Sequence, residues 1–391
     1  MKKSVLLIAL TLIVNCLFSQ DTKDILNTLI NKGVISQVEA DSLINQNKEE
    51  KKKPSYFLQQ AKSAFISDAF RLSGYGQIIY TATENPGNRT QVATSVHNSF
   101  DVARLILFAV GRLGSNNQFG YMAMYDFGPN HKLHELYGEW LPVDAANLRI
   151  GQFKIPFTIE NPMSPTRIET IYFSRSASAM SGSAGDFNQY QEDGVTVDAV
   201  KAGRDAGIQF SGKLYPFSGK HTIEYYAGLF NGTGYNTKDN NNHKDFIGSL
   251  YYSPIKGLKA GGSVYSGKLY GTIDGQLSNH VRNRWALSAE YTGTHFYGRS
   301  EYLEANDGGL KRCGGYASGA WKIVPDKWEV LGKFDYYNDN KSAMRNEVTD
   351  YTVGVNFYYS YLSRVQLNYI YTDNKALGSN NMLAAQLQLF F

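Results

Sequence analysis

The chain has 391 residues, a formal net charge of +4 and 42 % hydrophobic content. That length suits one large domain or two ordinary ones, and the near-neutral charge gives no nucleic-acid footprint. Tyr (28), Phe (21) and Gly (37) are abundant beside 2 Cys, which suggests strands with aromatic girdles and excludes a disulfide-rich scaffold.

Residues 1–20 are expected to be a signal peptide. Lys2 and Lys3 precede an apolar run from Val5 to Val14, too short to span a bilayer. Cys16 raises the question of lipidation, but Ile13-Val14-Asn15 lacks the small residue a lipobox places before its cysteine. Cleavage near Ser19 or Gln20 would leave Cys313 alone. It would also lower the charge from +4 to +2 by removing Lys2 and Lys3.

Residues 21–53 are expected to form a periplasmic helical segment and linker. Leu26, Leu29 and Ile30 share one helical face before Gly33, and Ser36 with Glu39 forms a capping box. The charged run Lys48–Lys53 suggests a tether. An oligomerisation or cell-wall contact is the alternative. Residues 54–70 would connect this segment to 71–391.

From about Arg71 the hydrophobic period becomes 2. At the end, Leu383, Ala385, Leu387, Leu389 and Phe391 alternate with Ala384, Gln386, Gln388 and Phe390. About ten residues of such alternation cross a bilayer as a tilted strand. The pattern recurs at Trp285–Tyr291, Trp328–Tyr336, Tyr351–Tyr359 and Val365–Tyr371. Charges on the second face are costly in lipid but normal in a wet lumen.

Strands are expected to start near Leu72, Ser99, Gln118, Leu133, Asn147, Asp205, Thr222, Asp245, Leu258, Asn283, His295, Gly315, Lys327, Tyr351, Ser363 and Met382. This even set fits an all-β fold, a transmembrane antiparallel β-barrel of about 16 strands. Short links such as Gly293-Thr294 and Tyr361-Leu362 alternate with longer polar ones such as Glu84–Asn98, Gly232–Lys244, Gly267–Arg282 and Asn338–Asp350. The stretch 156–204 is far longer, and a loop of that length is usually functional. Folding inward, it would narrow a barrel wide enough for water. A soluble sandwich or propeller does not explain the lipid-face aromatics.

Two stretches carry a resemblance: Glu135-Leu136-Tyr137-Gly138-Glu139-Trp140 and Leu148-Arg149-Ile150-Gly151-Gln152-Phe153-Lys154-Ile155-Pro156-Phe157. With Gly74-Tyr75-Gly76-Gln77, Arg204-Asp205-Ala206-Gly207-Ile208 and Tyr226-Ala227-Gly228-Leu229-Phe230-Asn231-Gly232, they resemble the phosphate-selective porin O/P family over residues 69–391. The resemblance implies a trimeric sixteen-stranded outer-membrane barrel of a Gram-negative bacterium, with the third external loop in the pore and basic residues guiding anions. It also implies that the barrel-assembly machinery reads the terminal strand, Leu387, Leu389 and Phe391. The charges depart from the pattern. The run Phe100–Leu105 holds one arginine, Arg104, and residues 156–203 carry three cations against six carboxylates, a net of −3.

The expected function is passive diffusion of small hydrophilic solutes or ions, with anions such as phosphate as one option. The alternatives are a lipase-like barrel enzyme and a plugged structural or adhesin barrel. No cofactor is expected, and the partners are outer-membrane lipid and the permeating solutes. The candidate pore-lining residues are Lys154, Arg149, Arg167, Arg175, Arg204, Arg104, Glu135 and Glu139. Guanidinium groups bind phosphate or carboxylate through bidentate contacts, or else tie the loop to wall carboxylates such as Glu135 or Glu139. Arg149 and Lys154 have opposite parity, so a regular strand cannot turn both inward. Asp239, Asn240, Asn241, Asn242 and Asp245 offer oxygen ligands for Ca²⁺ but lack the other marks of a calcium loop. Gly182-Ser183-Ala184-Gly185 lacks nucleophile-elbow spacing, and Ser288 with His295 makes no compelling catalytic pair.

Overall fold

The computed structural model describes residues 69–85, 97–114, 116–129, 131–181, 189–192, 195–198, 203–216, 221–273, 276–343 and 347–391. The chain divides into two units, Met1–Ile66 and Ser67–Phe391. All described residues belong to the second. The signal peptide, the 21–53 segment, most of 54–70 and the Gly182–Gly185 turn lie outside them.

The strands in chain order are β1 (Arg71–Thr83), β2 (Asn98–Leu113), β3 (Phe119–Asp126), β4 (Lys132–Val143), β5 (Ala146–Lys154), β6 (Gln189–Glu192), β7 (Val195–Asp198), β8 (Arg204–Leu214), β9 (Thr222–Phe230), β10 (Asp245–Ser253), β11 (Leu258–Ile273), β12 (Gln276–Thr292), β13 (Phe296–Asp307), β14 (Leu310–Val324), β15 (Trp328–Asn338), β16 (Glu347–Ser360), β17 (Ser363–Asn374) and β18 (Gly378–Phe390). Among the described residues one helix, α1 (Arg175–Ser181), lies between β5 and β6. Sixteen strands close an antiparallel barrel with β1 against β18, and β6 and β7 pair as a separate hairpin.

Each of the sixteen expected strands is present, twelve starting within one residue of the expected place. The β12, β14, β16 and β18 starts come earlier than Asn283, Gly315, Tyr351 and Met382. The largest correction is at Gly267–Arg282, expected as a loop. There β11 and β12 stay paired out to Ile273 and Gln276. Backbone pairing needs no lipid-facing alternation, so a two-stranded ribbon outside the apolar band leaves no hydrophobic period to read.

The barrel seam follows the terminal alternation. Gln77 Nε2 donates to Gln388 Oε1 at 2.8 Å on the inner face, while Leu387, Leu389 and Phe391 are exposed on the outer one. Phe391 exchanges backbone hydrogen bonds of 2.9 and 3.0 Å with Gly74. A closed sheet leaves no unpaired edge, as spanning strands require in lipid.

The inner face is less uniformly polar than the alternation suggests. Phe230, Ile247, Tyr265, Ala286, Leu303, Ala305 and Tyr337 point inward from β9 to β15. They form one buried cluster with Phe153 of β5 and with Ile155, Phe157, Ala179 and Met180 of the stretch after it. At about 25 cal/mol per Å² of apolar area removed from water, such burial drives the loop against the wall independently of lipid. This patch escaped the sequence reading because its small residues, such as Ala286 and Ala305, fit either face.

Candidate functional site

The candidate site is the barrel interior, which the stretch between β5 and β8 shares with the wall. The stretch turns sharply at its start. Thr158 is left-handed (φ +66°), and its amide donates to Ser263 Oγ of β11 at 3.0 Å. The next two amides, of Ile159 and Glu160, donate to the two oxygens of Glu301 at 2.8 and 3.0 Å. Glu301 also accepts from Ser288 Oγ and Tyr316 Oη, so one buried carboxylate organises the turn.

Further on, wall side chains bond to the loop backbone. Arg364 Nη2 donates to Ile168 O at 2.6 Å, and Asn356 and Gln366 each donate to Glu169 O at 2.8 Å. Asn368 Oδ1 accepts from the Ile171 amide at 2.8 Å. Gln388 of β18 reaches Thr166 O at 3.2 Å. Glu160 caps the approach to α1 by accepting from the amide and hydroxyl of Ser174. All seven residues of α1 are buried. The loop thus packs along β11–β18. Arg299 at the centre of that wall faces Glu290 (3.0 Å), Glu169 (3.4 Å) and Glu160 (3.8 Å).

The opposite part of the wall keeps partly exposed charges. By register, Arg112, Gly120, Glu139, Arg149 and Gln209 share one face across β2, β3, β4, β5 and β8. The other face of those strands carries exposed Phe119, Trp140, Ile150 and Phe210. Glu139 lies 2.9 Å from Arg149 and 3.8 Å from Arg112. Glu224 of β9 lies 2.9 Å from Lys213 and 3.0 Å from Lys259. Each carboxylate serves two cations, so each group keeps one net positive charge. The Arg112 and Arg149 side chains are 47 and 32 % exposed. The Arg149 guanidinium carbon also lies over the Tyr137 ring, 4.3 Å from its centroid.

The other candidates divide between wall and loop. Arg104 donates to Gln77 Oε1 at 2.8 Å. Arg204 is buried against Glu135 at 2.9 Å. Lys154 donates to the carbonyls of Asn161 (2.8 Å) and Met163, at the base of the loop. It lies past the last β4–β5 pair, Leu136 and Gln152, but still pairs with Arg204 of β8, and the backbone between it and Arg149 is irregular at Gly151, φ +136°. Arg167 reaches Tyr361 Oη at 3.3 Å. Arg175 binds Asp350 at 2.6 Å, so the carboxylates that hold this loop arginine belong to β16 and β15 rather than to Glu135 or Glu139.

The sequence reading passed over Arg282, Arg284, Arg299 and Arg312, which are inward and almost wholly buried like Arg364, the one that the alternation had placed inward. Their positions in alternating strands were a usable signal. Arg284 pairs with Asp307 at 3.0 Å and donates to Met180 O at the end of α1. The remaining chemistry does not converge. Ser288 Oγ donates to Glu301, whereas His295 faces the Lys322 carbonyl. Asp239 pairs with Lys244, whereas Asp245 accepts from Tyr265 Oη.

Comparison with known proteins agrees with this architecture. Residues 270–391 match the family model described as phosphate-selective porin O and P. No curated protein matches the sequence. Among solved structures, the outer membrane channel DcaP of Acinetobacter baumannii superposes with a TM-score of 0.56 at 13 % identity, covering 84 % of this chain and 99 % of that one. An anion-selective porin from Comamonas acidovorans gives 0.56 at 13 %, covering 83 and 99 %. The trimer form of OmpT, an outer membrane protein of Vibrio cholerae, gives 0.54 at 11 %, covering 82 and 100 %. At these identities the structures speak for the fold, a closed sixteen-stranded barrel like those of outer-membrane channels, and residues 270–391 carry the similarity to the phosphate-selective porin O and P family.

Proposed function

We propose that the protein is a passive diffusion channel in the outer membrane of a Gram-negative bacterium, and that its passage favours anions. The observation that carries the preference is the pair of two-cation groups, Arg112–Glu139–Arg149 and Lys213–Glu224–Lys259, on the wall from β2 to β11, where all four cations stay 31 to 49 % exposed. Charged walls in a narrow, low-dielectric passage raise the local concentration of counter-ions. Inward loop packing confines solutes to the space beside β2–β9 and sets the narrowest point.

The physical steps are few. An anion entering the lumen exchanges part of its hydration for guanidinium and ammonium donors. Glu139 holds Arg149 through Nε and Nη2, at 3.2 and 2.9 Å, so its position needs no reorganisation when an ion arrives. The neighbouring carboxylates temper the attraction, and the ion leaves as readily as it enters. Phosphate belongs to this class of solute, as the family description suggests. Transport needs no covalent chemistry from the wall.

The assembly is proposed to be a homotrimer, a reading supported by the trimer form of one structural relative. Phe391, Leu389 and Leu387 would present the terminal strand to the barrel-assembly machinery. The test of the channel is the reversal potential of single channels in a salt gradient. An anion-side value that moves toward cations in Arg149→Glu supports the reading, and a cation-side value in the wild type contradicts it.

A further inference from the structure

The neck of the inward loop is laced by one side chain. Asn161 is fully buried. Its Nδ2 donates to Ile155 O at 2.9 Å and to Gly203 O at 3.1 Å, the residues at which the chain leaves β5 and enters β8. The Ile155 amide donates to the same Gly203 carbonyl at 2.9 Å. The Asn161 amide donates to Thr158 Oγ1 at 3.0 Å, and its carbonyl accepts from Lys154 Nζ at 2.8 Å. Three groups of one residue, through four hydrogen bonds, therefore join both strands of the neck to the first turn of the loop.

Two backbone features fit this lacing. Thr158, a β-branched residue, is left-handed at φ +66°, a conformation that persists only where surrounding bonds over-determine it. Gly203 is left-handed at φ +63°, and a methyl group there would fall 1.8 Å from Asn161 Oδ1. Glycine at 203 and asparagine at 161 are thus fitted to each other across the neck, although 42 positions separate them in sequence.

We propose that Asn161 is a positioning residue for permeation: it fastens the two strands of the neck so that the loop stands as a fixed wedge in the lumen, and it never meets the solute itself. The inference rests on the diffusion-channel reading and adds to it the cause of a steady open state. Without the amide, the Ile155 carbonyl loses its Asn161 donor and the strands of the neck separate more easily. Loop motions reach the microsecond range and collective ones the millisecond range. A loosened wedge therefore registers as flicker in the open-channel current.

Purified wild type, Asn161→Ala, Asn161→Asp and Gly203→Ala are compared in planar bilayers, with heat-modifiable mobility showing that each barrel is folded. Asn161→Ala should show a severalfold rise in open-channel current variance with an unchanged reversal potential. Asn161→Asp keeps the size but loses the donor. It should be as noisy as Asn161→Ala, whereas a space-filling role predicts a quiet trace. Gly203→Ala keeps Asn161 but displaces its amide, and it should reproduce the noise even where Asn161→Ala fails to fold. Quiet traces from folded Asn161→Asp and Gly203→Ala barrels would overturn the proposal. A wild type without any openings would overturn the channel reading and the proposal with it.

Discussion

Arg175 and Asp350 are joined by two hydrogen bonds, Nε to Oδ2 at 2.6 Å and Nη2 to Oδ1 at 3.0 Å, across 175 positions of sequence. Both side chains are almost wholly buried. Asp335 accepts from the Arg175 amide at 2.8 Å, and Arg284 donates to the Met180 carbonyl at the other end of α1. Carboxylates thus meet the start of the helix and a guanidinium meets its end, the arrangement its dipole favours. An isolated helix of seven residues is not stable in water, so the wall is what holds it.

Removing one partner of this pair should loosen the loop. Arg175→Ala leaves Asp350 buried without its charge partner, a change that typically costs about 3–5 kcal/mol. Thr372 Oγ1 still donates to Asp350, which places the expected loss at about the lower end of that range. Urea unfolding of Arg175→Ala, Asp350→Asn and the double variant checks this. A double-variant loss equal to the sum of the single losses would show that the two residues are not coupled.

The approach of α1 to the wall depends on small residues on both sides. A Cβ at Gly314 of β14 would sit 2.6 Å from Cβ of Ser176. Gly314→Val should therefore displace the helix and destabilise the barrel by about 1–3 kcal/mol, with a changed single-channel conductance. Wild-type conductance and stability in Gly314→Val would show that the helix does not need this approach.

Closure of the barrel predicts a role for the last residue. The Phe391 amide and carbonyl both pair with Gly74, and the carbonyl also accepts from Ser73 Oγ at 2.6 Å. Deleting Phe391, or replacing it with Asp, should lower the yield of heat-modifiable barrel in membranes. The deletion removes the seam bonds, whereas Phe391→Asp keeps the backbone and places a charge on the exposed apolar face. Normal yield from both would remove Phe391 from assembly.

Acidification should shift ion preference through the loop. Burial pushes the Glu169 carboxyl above the usual glutamate range, and Arg299 at 3.4 Å opposes that rise only in part. As pH falls, Glu169 therefore takes up its proton earlier than an ordinary glutamate and the lumen gains one positive charge. The reversal potential should move to the anion side at a higher pH than protonation of an ordinary glutamate would give. Glu169→Gln should have that preference at neutral pH and lose this step of the titration. An identical pH profile in wild type and Glu169→Gln would contradict the assignment.

The barrel was largely legible in the sequence because lipid and lumen impose opposite chemistry on alternate residues. Val365, Leu367, Tyr369 and Tyr371 face outward, while Arg364, Gln366, Asn368 and Thr372 are buried inward. The interior was less legible. Parity places Arg175 on no face, since it lies on a loop, and its partner Asp350 looked like the end of a polar link. The pairing of Asn161 with Gly203 joins residues whose closeness depends on where β5 and β8 meet. Lys154 was legible as the entry to the loop, but its carbonyl partners were not, because backbone acceptors leave no mark in a sequence.

Single-channel current across a salt gradient is the most direct measurement of an anion-favouring passage along β2–β9. Purified wild-type protein should open in discrete ohmic steps with a reversal potential on the anion side, and Arg149→Glu should move that potential toward cations without abolishing the steps. A folded wild-type barrel with no openings, or with a cation-side potential that Arg149→Glu leaves unmoved, would contradict it.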